Sequence, residues 1–383
     1  MDFSLTEEQS ILKDTLGRLL GDHCSFEARR THLDSAQGWS QSMWARYAGL
    51  GLMALPFPEA TGGDGGSSVE TMIVMEALGE KLALEPYLTT VVLGGGFVRL
   101  GGDSRQREEL IPAISEGLLK IAFAHTERHS RYDLSHVETS AQRDGDGYVL
   151  SGAKGIVIHG DSADKIFVTA RTSSNPRSRE GIGLFLVDVN AEGVSRRSYR
   201  LHDGLGAADL TLDKVKVPAS AVFGDPGSAM PIIQHVVDIG IAALAAESVG
   251  VMSAMQALTL DYLKTRQQFG MPIGSFQALQ HKAVDMYVAI EQARSMALYA
   301  AMMAEEADEK ERARAMHAVK AEIGRSGRLV GETAIQLHGG VGMTMEFAIG
   351  HYFKRMTMID VMFGDSDHHL RSLGKLGGLL DVA

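Results

Sequence analysis

Cysteine is almost absent from the chain: Cys24 is the only one in 383 residues. That excludes an intramolecular disulfide and a thiolate-rich metal cluster, and it fits a reducing, cytoplasmic setting. Basic charge is outnumbered, with 37 Lys and Arg against 48 Asp and Glu and a formal net charge of −11. A general nucleic-acid binder needs a concentrated basic face, so no nucleic acid is expected as partner, although a basic pocket for one phosphorylated ligand is compatible with this balance. The N-terminal stretch "MDFSLTEEQS" carries acids where an export signal would carry bases. The longest weakly charged run, Ile239 to Leu260, has Glu247 as its only ionisable side chain. Its Ala, Ser, Gly and Met content reads as a helix buried in a bundle rather than a membrane span. No solenoid-period repeat and no low-complexity tail occur.

What is present changes character twice along the chain. The first third patterns as helix, opening with Thr6 and Gln9 at capping-box spacing ahead of an apolar stripe of Ile11, Leu12, Leu16, Leu19 and Leu20. From about residue 119 short β-branched or alternating runs take over: "LKIAFAHTE", "GYVLSG", "KGIVIHG", "DKIFVTART", "GIGLFLVDV" and "ADLTLDKVKVP". From about residue 226 long Ala- and Met-rich helices return. The expected organisation is α+β, with an N-terminal all-α domain (1–118), a middle β-barrel or sandwich domain (119–225) and a C-terminal four-helix bundle (226–383).

Two segments stand out chemically. "TRQQFGMPIGSFQALQH", Thr265 to His281, offers Arg266 for a bidentate phosphate contact, Phe269 for an aromatic wall and Gln277 for an amide donor, while Pro272 and Gly274 break the helix. "HGGVGMT", His338 to Thr344, follows a helix, so it is not a Rossmann fingerprint, which requires a strand before it. It is either a plain interhelical turn or glycine-rich backbone that approaches a nucleotide closely.

These two strings, with "AHTE" (Ala124 to Glu127), "LSGAKGIVIHGDSAD" (Leu150 to Asp164) and "GLGAADLTLDKVKVP" (Gly204 to Pro218) ahead of them in the family's order and spacing, resemble the acyl-CoA dehydrogenase family over essentially the whole chain. The resemblance implies FAD held between the β domain and the C-terminal bundle, with its adenine end reaching a neighbouring subunit. It implies that Arg266 and Phe269 meet the cofactor from one subunit and Gln336, Gly339 and Gly340 from the other, with Gln277 nearby. The backbone from Ala124 to Thr126 and the Thr126 hydroxyl would face the flavin. Departures are specific. The family's Thr-Glu-Pro-Gly reads "TERHS", with Arg128 and His129; Ile156 and Ile158 replace a Trp and a Thr that pack on the ring; Tyr132 replaces a hydroxyl residue.

The implied chemistry needs a carboxylate to take the α-proton of an acyl thioester. In most of the family it lies in a Tyr-Glu-Gly-Thr sequence, which aligns on "MFGD" and puts Phe363 at the glutamate position. A second family location aligns on Gly240. Seven residues on, about 10 Å along the same helix face, is Glu247, which becomes the candidate base. The competing reading pairs Glu247 with a bundle arginine such as Arg325 or Arg328. Asp365 is the alternative base with Asp367 behind it, and both also suit a helix cap or an adenosine contact. A metal at Asp365, Asp367, His368 and His369 is not expected, because adjacent residues do not surround one ion.

The expected protein is thus an FAD-dependent acyl-CoA dehydrogenase that passes electrons to an electron-transfer flavoprotein, as a homo- or heterotetramer with a related subunit. The nearest flavour of resemblance is to the small subunits of pimeloyl-CoA-type dehydrogenases. Two rivals stand beside it: a catalytically silent subunit that completes FAD binding for its partner, and a desulfinase-like relative.

Overall fold

The computed structural model describes residues 5–173 and 175–377. In chain order it has helices α1 (Glu7–His23), α2 (Phe26–Leu33), α3 (Gln41–Gly49) and α4 (Ser68–Glu80), a π-helical segment (Leu88–Gly94) running into α5 (Gly95–Gly101), and α6 (Ser104–Ser115). Strands β1 (Ile121–Ala124), β2 (Ser140–Asp144), β3 (Gly147–Ile158), β4 (Lys165–Arg171), β5 (Ile182–Asp188), β6 (Val194–Arg200), β7 (Gly206–Val217) and β8 (Val222–Phe223) follow. The rest is α7 (Met230–Thr265), a hairpin of β9 (Gln267–Gln268) and β10 (Met271–Pro272), α8 (Gln277–Met303), α9 (Glu309–His338), α10 (Ala348–Val361) and α11 (Ser366–Lys375). The chain forms two compact units that do not follow sequence order: residues up to Thr31, Ser68–Ala83 and Ile241 onward in one, His32–Ser67 and Leu84–Gly240 in the other.

The second unit is organised by one mixed sheet, ordered β6-β7-β3-β2-β4-β5-β8, with β1 added parallel to β4 so that Ala124 sits opposite Val168. Its apolar side buries Leu150, Val157, Ile166, Phe185, Leu210 and Val215. Rings of Phe97, Phe123, Phe167 and Phe223 meet at centroid distances of 4.6–5.0 Å and tie α5 to the strands, a favourable arrangement of tilted and edge-on aromatics. "GYVLSG" and "KGIVIHG", read as separate runs, are one bent strand, β3, whose register against β7 shifts between Leu150 and Gly152 and again between Lys154 and Val157. The glycines permit these bulges. Strands β2 and β6 escaped the hydrophobic pattern because both are largely polar; β6, with Arg196, Arg197 and Arg200, is an edge that charge protects from further pairing.

An ion-pair network is sealed under this sheet. Glu127 accepts from Lys154 Nζ (2.6 Å), the Thr139 hydroxyl (2.7 Å) and the backbone amides of Glu138 and Thr139 (2.7 and 3.0 Å). Burial alone would raise its pKa, but Lys154 holds it below the ordinary carboxylate range. Desolvation brings Lys154 down to about 8 against the opposing pull of Glu127. Arg171 meanwhile donates to the carbonyls of Ser135, Val137, Pro176, Ser178 and Glu180, closing the neighbouring loop.

In the first unit the capping box forms as the spacing predicts, Thr6 and Gln9 exchanging hydrogen bonds of 3.0 and 3.2 Å. Of the apolar stripe that follows, Leu16 and Leu20 are buried and Ile11 faces solvent. Helix α4 stops at Glu80, just ahead of Leu82, which turns left-handed (φ 50°). It crosses α7 at two glycines: a Cβ on Gly79 would strike the Glu247 carbonyl, and one on Gly250 would strike that of Glu76. Helices α8, α10 and α11 pack on α9, and the Gln256 amide of α7 donates to the Ala283 carbonyl of α8 (3.1 Å), so the expected C-terminal bundle is present. Helix α7 is long and apolar enough to cross a membrane by composition, yet 94% of its most apolar window is buried within the protein.

Removing one member of a sealed ion pair strands the other charge. Glu127→Gln is therefore expected to lower unfolding free energy by about 3–5 kcal/mol, and urea denaturation measures it.

Candidate functional site

In the sheet unit, the candidate flavin-facing segment leaves β1 at Ala124, which is fully buried. The Thr126 carbonyl accepts the Gly155 amide (2.9 Å), joining the segment to the bulge of β3. His125 stacks on Phe123 (4.8 Å), and burial, reinforced by nearby Lys154, lowers its pKa to about 3, so it is neutral at physiological pH. Arg128 and His129 are exposed on the turn that follows, and Arg131 is left-handed (φ 47°). Ile156, at the bulge, is also left-handed (φ 54°) while 52% exposed. A β-branched residue rarely adopts that conformation, and an exposed one gains nothing from burial.

In the helical unit, α7 ends at Thr265 and Arg266 begins the β9–β10 hairpin, its carbonyl accepting the Ile273 amide (2.8 Å). Phe269 and Gly270 form the two-residue turn, both at positive φ (53° and 79°), and the Phe269 ring is 89% exposed. Positive φ suits the twist of a tight hairpin, but phenylalanine is a poor choice for it. Arg266 and Gln277 are exposed as well. The second motif lies beside this one: Tyr262, one turn before Arg266, stacks on His338 (4.6 Å, 27° between planes), and Phe347 closes on His338 at 5.1 Å. Gln336, Gly339 and Gly340 are exposed at that end of α9, and a Cβ on either glycine would meet open space. One chain thus brings both motifs to one end of its bundle.

Glu247 is not free. Its two oxygens take the Arg355 Nε (2.6 Å) and Nη2 (2.8 Å), and both residues are 6% exposed. Of the two readings open at the sequence level, the paired one describes this geometry, with the arginine coming from α10 rather than α9. Arg325 and Arg328 are exposed instead. The Asp365 carboxylate caps α11 by accepting the His368 amide (2.7 Å), and Asp367 is exposed, 4.0 Å from Arg371. Phe363 is left-handed (φ 59°) and half-buried. Among the described residues no group of three His, Cys, Asp or Glu is arranged to hold a metal ion.

What the sequence did not reveal is how firmly the Phe363 loop is held. The fully buried Lys320 of α9 donates to the carbonyls of Ile359 (2.8 Å), Asp360 (2.7 Å) and Gly364 (2.8 Å). His369 Nε2 donates to the Phe363 carbonyl (3.0 Å), which leaves its Nδ1 to accept from His317 Nδ1 (2.8 Å). Burial lowers both imidazoles, His317 to about 4 and His369 further. The only signal in the sequence was a lysine at a position that the apolar period of α9 places inside.

The comparisons agree with this architecture. The chain matches the family profiles "Acyl-CoA dehydrogenase, N-terminal domain" over residues 6–118, "middle domain" over 122–215 and "C-terminal domain" over 230–376. The chain belongs to the acyl-CoA dehydrogenase family. It is 29% identical to a probable acyl-CoA dehydrogenase, YngJ, of Bacillus subtilis, over 96% of this chain and 97% of that one. Among solved structures, a Tcur3481-Tcur3483 steroid ACAD variant has 31% identity and a TM-score of 0.87 over 97% of both chains. The ChsE4-ChsE5 complex from Mycobacterium tuberculosis has 26% identity and a TM-score of 0.87 over 98% of both.

Two outcomes follow. Glu247→Ala leaves the Arg355 guanidinium buried without its anion and is expected to cost about 3–5 kcal/mol in thermal or urea unfolding. His317 and His369 bind fewer protons folded than unfolded, so the stability they contribute is present above about pH 6.5 and is lost as pH falls below it. His369→Gln, which retains a donor, should flatten the decline between pH 6.5 and 5 measured by urea titration at each pH.

Proposed function

We propose that the chain is an FAD-dependent acyl-CoA dehydrogenase that introduces an α,β double bond into an acyl-CoA thioester and delivers electrons to an electron-transfer flavoprotein, as part of a homo- or heterotetramer. The observation that carries the reading is Phe269, an almost fully exposed ring on left-handed backbone. It lies at a position carried over for FAD, and burying such a ring recovers about 1.5–3 kcal/mol. Ile156, exposed and left-handed, and the open backbone of Gly339 and Gly340 fit the same group, the first beside a flat ring and the others beside a pyrophosphate. Bound FAD supplies the acceptor for the β-hydride. The chain's own part is to hold it through Arg266, Phe269, Gln277, Gln336, Gly339 and Gly340, and to present the Ala124 and Thr126 amides and the Thr126 hydroxyl as donors. Glu247 remains the candidate α-proton acceptor, with Asp365 behind it, and to serve it would have to exchange its contact with Arg355 for one with substrate.

The Glu247–Arg355 pair also favours a second reading. Both Glu247 oxygens are occupied by Arg355 Nε and Nη2 rather than open to a substrate, and the side chain at the usual base position, Phe363, has no proton acceptor. A chain so equipped suits a subunit that completes flavin binding for a related, catalytic one. Two similar solved structures, ChsE4-ChsE5 and the Tcur3481-Tcur3483 steroid ACAD variant, each carry the names of two proteins.

Anaerobic mixing of the flavin-loaded protein with a panel of acyl-CoA thioesters separates the readings. The dehydrogenase reading expects bleaching of the flavin band by the chain alone, abolished in Glu247→Gln with flavin content retained. Unchanged bleaching in that variant removes Glu247 as base. A protein that binds flavin and turns over only when co-expressed with a related subunit establishes the second reading.

A further inference from the structure

The bulge of β3 that carries Ile156 is held from two sides. Lys154 lies opposite Leu210 of β7 and Val157 opposite Ala208, so Gly155 and Ile156 together face the single residue Asp209. Two residues set against one form a β-bulge, a device that re-aims a side chain. On one flank the Lys154 ammonium is sealed against Glu127 (2.6 Å) and Thr169 (2.9 Å), and the Gly155 amide donates to the Thr126 carbonyl (2.9 Å). That flank anchors the bulge to the segment leaving β1.

The other flank is Asp209. Its Oδ1 accepts from the Ile156 amide (3.3 Å) and the Tyr199 hydroxyl (2.8 Å), and its Oδ2 takes Nη2 of Arg197 (2.6 Å). Strand β6 supplies both side-chain donors from one face: Arg197 stands directly across from Asp209, and Tyr199 follows two residues on. The Arg197 hydrogen bond holds the Asp209 carboxyl below its ordinary range. Burial and the Asp209 carboxylate push the Tyr199 phenol up to about 12, so the acceptor stays charged and the donor keeps its proton.

This cluster is not part of the core. The side chains of Arg197 and Asp209 are 81% and 36% exposed, and an ion pair so open adds little to folding. What it reaches is the backbone of Ile156, whose left-handed conformation β-branched residues rarely adopt. The grip on that amide is the contact that fixes the strain in place.

We propose that Asp209 is a positioning residue for the flavin: by accepting the Ile156 amide, and being itself fixed by Tyr199 and Arg197, it holds the bulge left-handed so that residue 156 is presented to the ring. The inference rests on the FAD reading and extends it to three residues to which the motifs assign no part.

The test is FAD titration of the deflavinated full-length protein, followed by flavin fluorescence and by visible-region circular dichroism of the bound ring. Asp209→Ala is expected to weaken FAD binding about tenfold and to alter the visible dichroism, with the thermal midpoint of the flavin-free protein unchanged. Asp209→Asn keeps an oxygen for Ile156 and Tyr199 and loses only the exposed ion pair, so it should stay within about twofold of wild type. Ile156→Gly removes the need for the grip, because glycine adopts positive φ unaided; adding Asp209→Ala to it should cost no further affinity. Tyr199→Phe should give a smaller loss, and it covers the case in which Asp209→Ala misfolds: unchanged affinity there overturns the proposal. A wild-type chain that takes up no FAD sinks the flavin reading and the positioning role with it. Wild-type binding matched by Asp209→Ala overturns the positioning role alone. A loss in Asp209→Asn as large as in Asp209→Ala, or a full loss persisting in the glycine background, overturns it too.

Discussion

An ionised carboxylate inside a protein is tolerable only where a cation meets it out of water. On α7 that cation is Arg355, and the contact sets terms for much that surrounds it. It lets a 36-residue helix carry one acid at the centre of a run with no other charge. It joins α7 to α10, whose C-terminal end leads into the Phe363 loop. It also sits where α4 comes closest, since Gly79 lies against the Glu247 carbonyl and has no room for a side chain. A base free to accept a proton and an anchor that holds two helices are opposing demands on one side chain. The geometry serves the anchor directly and makes any basic role conditional on movement.

The same tension recurs at the left-handed residues. Ile156, Phe269 and Phe363 each hold a side chain at positive φ, where a bulky residue costs about 1–2 kcal/mol. Each also stands in a segment singled out from its motif. Strain of this kind persists only where surrounding structure fixes it. For Phe363 the fixing is visible: Lys320 and the His317–His369 pair hold the loop through backbone carbonyls, so its shape does not depend on which side chain residue 363 carries. The loop is rigid without the acid that such rigidity would position.

Much of this was legible beforehand, and unevenly so. Periodicity located the helices and the apolar strands because each buries a face, and the Thr6–Gln9 box reported its own cap. It missed β2 and β6, whose residues are mostly polar, and it could not see that two strand-like runs were one bulged strand. Motif reading identified Phe269, Gly339 and Gly340 but not that Tyr262 and His338 stack to bring both segments together. Glu247 stood out as a lone charge. Its partner did not, because Arg355 lies 108 residues away and nothing in the spacing distinguishes it from Arg325 or Arg328. Lys320 looked like any helix lysine, since a network made with backbone carbonyls leaves no trace in the identity of its acceptors.

The proposed tetramer would tie the durability of each chain to how many others are present, because α8 leaves Val284, Tyr287, Val288, Tyr299 and Met302 substantially exposed in the single chain. Where association covers a surface that folding leaves open, mass action adds to the stability of the folded state, and the melting temperature climbs with protein concentration. A newly made chain with few companions would have its weakest moment before assembly, with two tyrosines and three aliphatic side chains facing solvent on α8. Abundance would then act as a stabilising ligand, and a cell that makes too little of the protein would lose more of it than the shortfall in synthesis alone accounts for.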